Sequence, residues 1–481
     1  MKICIPKIRI VRENREKYST IDIVPKKLRS YLVDMNHYFN NVNGDVCRGR
    51  NKEVERIFNS LLKPHNSNVL LVGDHGVGKK ATVQIAVYKI LKNKCPNALK
   101  NYHFIRFNIE KMLIALQNDN ENSIVEIINF LSSYTNIVVV IDQIHLMSYS
   151  TVLAYYIKKL FKMHNVGVIG IATQEEFSNL FENQNKILSM LDIIPIEEPK
   201  SDKIYPMIKQ YLKSYEKAYN ISIPEDIVCY MVSVSSASST NMSNPGLVMN
   251  LIDKSIVVAA RKKHTTITRD DVNYNLNFRY DLYNKIPHFQ KKLTTYHEAG
   301  HFVIYYKSSD NITTYKVTAI TNIPTEDFAG ANLLEYNSEM HTSLNQEYFM
   351  NDITVDLGGR AAEELILQEN GVNARYTAGA VSDLKNATRT ARAIVTEYGM
   401  IKSCGENMTY FCEHDLSDLI LLSEERKKDI DREVQNIIKI AYERAQKILT
   451  ENRELLDAIA KSLMENGVLD EKDLKKICDQ F

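Results

Sequence analysis

Residues 69–80 set the frame for what this chain can fold into. An apolar run, Val69–Val72, leads straight into Gly73-Asp-His-Gly-Val-Gly78-Lys79-Lys80, and a helical pattern follows. The GxxxxGK spacing works only between a strand and a helix. Its glycines let backbone N–H groups curl around a phosphate, the helix N-terminus favours negative charge, and Lys79 reaches the β/γ oxygens. Gly73, Gly76, Val77, Gly78, Lys79 and Lys80 are therefore candidate nucleotide-binding residues, with ATP as the candidate ligand. The residue after the lysine is expected to be Ser or Thr, whose hydroxyl holds Mg²⁺. Here it is Lys80, which cannot ligate a cation.

Two more β-branched runs, Ile137–Ile141 and Val166–Ile171, read as buried strands of a parallel sheet between helices, a doubly wound α/β arrangement. The first delivers Asp142 to a strand end, where a Walker-B carboxylate steers the metal's water shell. The next residue would ordinarily be the Glu that polarises the attacking water. Gln143 can orient a water but cannot act as a base.

Residues from about 46 to 278 resemble the first ATPase module of Clp-type AAA+ unfoldases. The resemblance is carried by "GRNKEVERI" from Gly49, "VLLVGDHGVGKK", "VVVIDQIHLM", "IGIATQEEF", "EEP" at 197–199 and "NPGLVMNLIDKS". It implies a large α/β subdomain, a helical lid, and Thr173 as the residue sensing the γ-phosphate. It also marks four departures. Lys80 and Gln143 replace the Mg²⁺ hydroxyl and the catalytic Glu. Ser189 and Met190 stand where the family has paired arginines, and "EKMLIALQNDNENS" stands where a pore loop should grip substrate. An arginine finger is worth about 10³–10⁵ in rate, so hydrolysis is expected to be slow or absent while ATP still binds.

Farther on, His297-Glu-Ala-Gly-His301 matches HExxH. The i, i+4 spacing puts both imidazoles on one helix face, so both reach one Zn²⁺, and Glu298 beside them can act as general base. No GxxH follows two residues after His301, which excludes the metzincin pattern, so a third ligand must come from farther along the chain.

Residues from about 281 to 478 resemble the peptidase domain of FtsH-type zinc proteases, through "TTYHEAGH", "LGGRAAEELI" from Leu357, "TAGAVSDLKNATRTARAIVTEYGM" and "AYERAQKILTENRELLDAIAKSLMENGVLD". The resemblance implies Asp383 as the third ligand. Taken alone, Asp383 reads as an ordinary carboxylate at a helix N-terminus with Ser382 as its cap. Glu363 and Glu364 are alternative ligands; otherwise one reads as a partner to a ligand histidine and the other as part of a solvated face. "VTAITNIPTEDFAGANLLEY" (Val317–Tyr336) resembles the strand region that accepts substrate as an added strand, with Gly330 near its path.

The expected order is thus an N-terminal extension over residues 1–45, an AAA+ large α/β subdomain over 46–200, a helical lid over 201–280 and a mainly α-helical zinc peptidase domain over 281–481. Composition narrows the setting. Sixty Lys+Arg against fifty-nine Asp+Glu leave a net charge of +1, with no basic stripe for nucleic acid. Seven cysteines, none in CxxC spacing, suit a reducing cytoplasm. No run of some 18 apolar residues predicts a membrane span, and the N-terminus is too charged for a signal peptide.

The leading expectation is a soluble zinc metalloendopeptidase acting on proteins or peptides, with an AAA+ module that binds ATP and hydrolyses it poorly or not at all. Family resemblance implies a homo-oligomer, a hexamer. The alternatives are a fully ATP-dependent unfoldase-protease and a non-catalytic nucleotide-sensing scaffold.

Overall fold

The computed structural model describes residues 22–41, 48–64, 67–118, 121–183, 185–235, 242–276, 278–308, 315–324, 329–336, 345–371, 377, 379–400 and 423–481. These fall into two compact units, one drawn from residues 1–232 and 240–272 and the other from 233–239 and 273–481. The boundary expected at 280/281 falls just inside the second unit.

The first unit is built on six strands: β1 (Leu32–Asp34), β2 (Asn68–Val72), β3 (His103–Phe107), β4 (Ile137–Ile141), β5 (Val166–Ala172) and β6 (Asp192–Pro195), in the order β1-β3-β4-β5-β2-β6. All neighbours are parallel except β1, which runs antiparallel to β3. Every residue of β2, β4 and β5 is buried, which is why these segments are continuous apolar runs rather than alternating ones. Leu70 and Val72 pack into a core on one face of the sheet, Val69 and Leu71 into a core on the other. Each such side chain contributes roughly 1.5–3 kcal/mol of burial.

Parallel pairing sends the C-terminal ends of β2, β5 and β4 to one edge. Val72 pairs with Ala172 and Ile141 with Gly170, so Gly73, Asp142 and Thr173 leave the sheet side by side. Ligands of open α/β sheets bind along this edge.

Residues 1–21 and 42–45 of the expected extension lie outside the described residues, as do residues 46 and 47. The rest of it is part of the unit. β1 is only three residues long, too short to show a period in sequence, and Asp34 at its end is buried, its carboxylate accepting from the backbone N–H of Asn36 and of His37. The segment expected to be a pore-loop replacement forms the helix Ile109–Gln117 and the start of the helix Glu121–Ser132. The segment expected to be a helical lid contains the helices Ser201–Tyr219, Glu225–Val234 and Gly246–Lys262. Residues 236–241, between the second and third of these helices, lie outside the described residues.

The second unit is mostly helical, with one small sheet in the order β8-β7-β9, made of β7 (Tyr315–Thr321), β8 (Ala331–Tyr336) and β9 (Val468–Asp470). Its centre is the helix His288–Ser308, which buries Ala299, Phe302, Val303 and Ile304. The long helix Glu424–Glu451 buries Ile430, Val434, Ile437 and Ala441 on one face, with Ile448 partly buried. Among the described residues no helix is long and apolar enough to cross a membrane.

Candidate metal centre and phosphate loop

His297 and His301 lie one turn apart on the helix His288–Ser308, which crosses the helix Gly358–Glu369 at a glycine contact. A Cβ on Gly300 would stand 2.6 Å from the Gly358 carbonyl oxygen and 2.6 Å from the Ala362 Cβ, so only glycine lets the backbones meet here. The crossing brings Glu363 and Gly359 beneath the imidazoles.

Each imidazole is held from behind. His297 Nδ1 lies 2.9 Å from Glu363 Oε1, and His301 Nδ1 lies 2.7 Å from the Val355 carbonyl oxygen. Both partners are acceptors, so both Nδ1 atoms carry the proton and both Nε2 atoms turn lone pairs inward. The two Nε2 atoms are 3.1 Å apart, and Asp383 Oδ2 lies 3.2 and 3.5 Å from them.

Three lone-pair atoms thus face one another, and Asp383 Oδ2 is buried with no hydrogen bond. A metal ion held among them satisfies all three. Zinc with Zn–N distances of about 2.0–2.1 Å has tetrahedral edges of about 3.3 Å, which these separations match. The surroundings favour positive charge in the same way. Burial opposes protonation of His297, yet Asp383 and Glu363 outweigh it and push its pKa up to about 10. Burial would raise the Asp383 carboxyl, but its contacts with His297 and His301 hold it well below the usual range.

Glu298 is buried, and burial raises its pKa. Asn332 on β8 fixes it, the amide nitrogen donating to the Glu298 carbonyl oxygen at 3.0 Å and to Oε2 at 2.9 Å. Gly330 crowds the same side chain: a Cβ there would lie 2.9 Å from Glu298 Oε1. Farther back, Asp356 is pushed up to about 7, by burial first and by Asp352 next.

The sequence brought His297, Glu298, His301 and Asp383 forward, and the fold gathers all four. Two local readings need correction. Ser382 is not the helix cap: the helix Val381–Thr396 has Ala380 at that position, so Asp383 sits within the first turn. Glu364 is not on a solvated face. It is buried, accepting from Tyr442 and Gln446 on the long helix and from Gln368, because the helix Gly358–Glu369 is covered on that side too. Asn332 and the Val355 carbonyl were missed, since no local spacing signals them.

In the first unit the phosphate loop joins β2 to the helix Lys79–Leu91. Gly76 and Gly78 take φ of 85° and 101°, which favours glycine at both. Lys79 is buried, its Nζ donating to the carbonyls of Gly73 and Asp74 at 2.6 and 2.8 Å, and burial lowers its pKa. Val77 is buried, and its carbonyl is held by Arg50 Nη2 at 2.8 Å, a contact the sequence did not signal. A Cβ at Gly78 would meet nothing within 4 Å, leaving open space beside the loop. Ser243 N and Gly246 N lie against the other side, donating to the carbonyls of His75 and Gly76.

Lys80 is exposed, and its ammonium contacts Asp142 Oδ2 at 2.5 Å. Gln143 adopts a left-handed conformation, φ 52°, at the start of a short 3-10 turn. Thr173 caps the following helix: its Oγ1 accepts from Glu176 N, and its N–H donates to Glu176 Oε2.

Residues 284–477 match peptidase family M41. An ATP-dependent zinc metalloprotease FtsH of Caldicellulosiruptor bescii is 32% identical over 241 residues, covering 47% of this chain and 37% of that protein. An ATP-dependent zinc metalloprotease FtsH 2 of Phytoplasma mali is 33% identical over 248 residues, covering 50% of this chain and 34% of its own length. The chain thus spans about a third of the length of these curated relatives. Among solved structures, a closed-state cryo-EM reconstruction of Hsp104 with ATPγS and FITC casein aligns at TM-score 0.50 and 15% identity, over 73% of this chain and 54% of that one. That likeness is one of fold.

Proposed function

We propose that this chain is a zinc metalloendopeptidase that cleaves proteins or peptides, a reading supported by the match of residues 284–477 to peptidase family M41 and joined to an AAA+ module by the likeness in fold to Hsp104. The observation that carries the reading is the convergence of His297, His301 and Asp383 beside Glu298. Zinc held by these three residues supplies Lewis-acid activation of water and of the scissile carbonyl. Glu298 takes the proton of the attacking water and passes it to the leaving amine. Burial of the Glu298 carboxyl raises its pKa, the direction that makes a carboxylate a stronger base. β8 is an edge strand of its sheet and carries Asn332 against Glu298, so a substrate added alongside it is bound through backbone groups, with loose sequence preference.

The AAA+ module binds ATP, with the loop 73–78 and Lys79 at the phosphates, Asp142 and Gln143 at the neighbouring strand end, and Thr173 on the γ-phosphate side. It turns ATP over slowly or not at all, because Gln143 supplies no base and Ser189 and Met190 supply no arginine. The assembly is a homo-oligomeric ring, a hexamer by resemblance. The reduced thiols of Cys95 and Cys478 fit a cytoplasmic setting.

The test is cleavage of casein and of a stably folded protein with ATP, with ADP and with no nucleotide, while phosphate release is followed. We expect casein to be cut in all three, the folded protein to survive, phosphate to stay at background, and Glu298→Gln to abolish cleavage with zinc retained. ATP-driven loss of the folded substrate would instead make the chain a working unfoldase-protease. Zinc-replete protein that cuts nothing would make it a scaffold.

A further inference from the structure

The phosphate loop carries two lysines where its pattern calls for one lysine and one hydroxyl, and the two are held differently. Lys79 is buried against the carbonyls of its own loop. Lys80, with its side chain 69% exposed, turns to Asp142, the carboxylate that β4 delivers to the site. Mg²⁺ requires about six oxygens in a near-octahedral shell at about 2.0–2.1 Å. A protonated amine offers three donors and no lone pair. The hydroxyl ligand is therefore absent, and the residue in its place carries a like charge that repels the ion. This donor set does not fit Mg²⁺.

We infer that Lys80 replaces the divalent cation, so that the ligand of this loop is a nucleoside triphosphate free of Mg²⁺. The inference rests on the reading of the first unit as an ATP-binding module and specifies the form of nucleotide it takes. A triphosphate stripped of its cation carries more negative charge than its Mg²⁺ complex, and a second ammonium at the loop offsets part of it. Lys80 stands in the first turn of the helix Lys79–Leu91, next to the N-terminal N–H groups that favour a phosphate. Its contact with Asp142 does not hold it back. Solvent-exposed ion pairs contribute only about 0–1 kcal/mol, so a triphosphate can draw the ammonium over at little cost. Lysine recognises phosphate as a point charge on a flexible stem, without the fixed angles a hydrated cation imposes.

The experiment is calorimetric titration of ATP into the full chain, in excess Mg²⁺ and again in EDTA, for the wild type, Lys80→Thr and Lys80→Met. Mn²⁺ electron paramagnetic resonance in the presence of ATP reads the ion directly. The wild type should bind ATP with a Kd that changes less than about threefold on adding Mg²⁺ and should give no protein-bound Mn²⁺·ATP signal. Lys80→Thr should bind at least about tenfold more tightly with Mg²⁺ than without, and should immobilise Mn²⁺·ATP. Lys80→Met should lose about tenfold in EDTA, the effect of one charge-assisted hydrogen bond.

Wild-type binding that tightens tenfold or more with Mg²⁺ overturns the inference and leaves the nucleotide-binding reading standing. Lys80→Met that binds as well as wild type in EDTA also overturns it, reducing the Lys80–Asp142 contact to a surface pair. Failure of the wild type to bind ATP in either condition overturns the inference. If Lys80→Thr then binds none either, the nucleotide-binding reading goes with it.

Discussion

Asn332 grips Glu298 at two points, its amide nitrogen 3.0 Å from the backbone carbonyl oxygen and 2.9 Å from Oε2 of the same residue. The contact joins an edge strand to the residue placed as general base, and it fixes one carboxylate oxygen while the other stays available. Asn332→Ala should lower kcat by about ten- to a hundredfold, part of the roughly 10²–10⁴-fold that general-base catalysis contributes, with KM for casein changed less than kcat and zinc content intact. An unchanged kcat, or a loss of zinc that accounts for the defect, would refute the positioning role.

Glu363 reaches His297 Nδ1 with Oε1, while its Oε2 accepts from Thr377 Oγ1. Partners of this kind fix the tautomer and raise the basicity of a metal-ligating histidine, and their loss usually costs about 10–100-fold in metal affinity. Glu363→Gln should weaken zinc binding by that amount in competition with a chelator, with cleavage restored by added zinc. Zinc affinity equal to the wild type would mean that Glu363 only fills space.

The parts of this site differ in how far the sequence exposes them. His297 and His301 are legible because the helical period alone puts i and i+4 on one face. β2, β4 and β5 are legible because strands buried on both sides need unbroken apolar runs. Asp383 is far from both histidines along the chain and carries no spacing of its own, so local reasoning offers only a helix-end carboxylate and a family resemblance is needed to single it out. Asn332 is a polar residue in a short strand, and its role follows from tertiary packing that brings β8 to Glu298. Glu364 misleads for the opposite reason. Adjacent acidic residues on a helix suggest water on at least one side, but the helix Gly358–Glu369 is covered on both, and Tyr442 and Gln446 satisfy the charge that a pattern would assign to solvent.

Gly359 lies under both ligand histidines. A Cβ at this position would stand 2.5 Å from His297 Cε1 and 2.5 Å from His301 Nε2, closer than any real contact. Neither ring can retreat without losing its Nδ1 partner. Gly359→Ala should therefore strip zinc and abolish casein cleavage, with an overpacking cost of about 1–3 kcal/mol in the second unit. Stoichiometric zinc in the purified variant would contradict this.

Asp271 ties together the segment from Lys262 to Thr268, at the end of the proposed lid. Its buried carboxylate accepts from Thr268 N and Oγ1, Lys262 Nζ and His264 Nδ1, all between 2.8 and 3.1 Å. Burial alone would raise its pKa, but these donors win and hold it at about 2, against an ordinary value of 3.8. A carboxyl whose pKa is depressed on folding contributes stability that is fully present above its unfolded pKa and is lost as pH falls toward the folded one. Here that contribution is about 2 kcal/mol, disappearing between about pH 4 and pH 2. Asp271→Asn should make the first unit less stable than wild type by roughly that amount at pH 7, in urea unfolding followed by circular dichroism. The gap should close as the pH drops through this window, because protonation removes from the wild type what the substitution has already removed from the variant. A gap that stays constant down to pH 2 would show that the carboxylate charge at Asp271 contributes nothing to holding the lid.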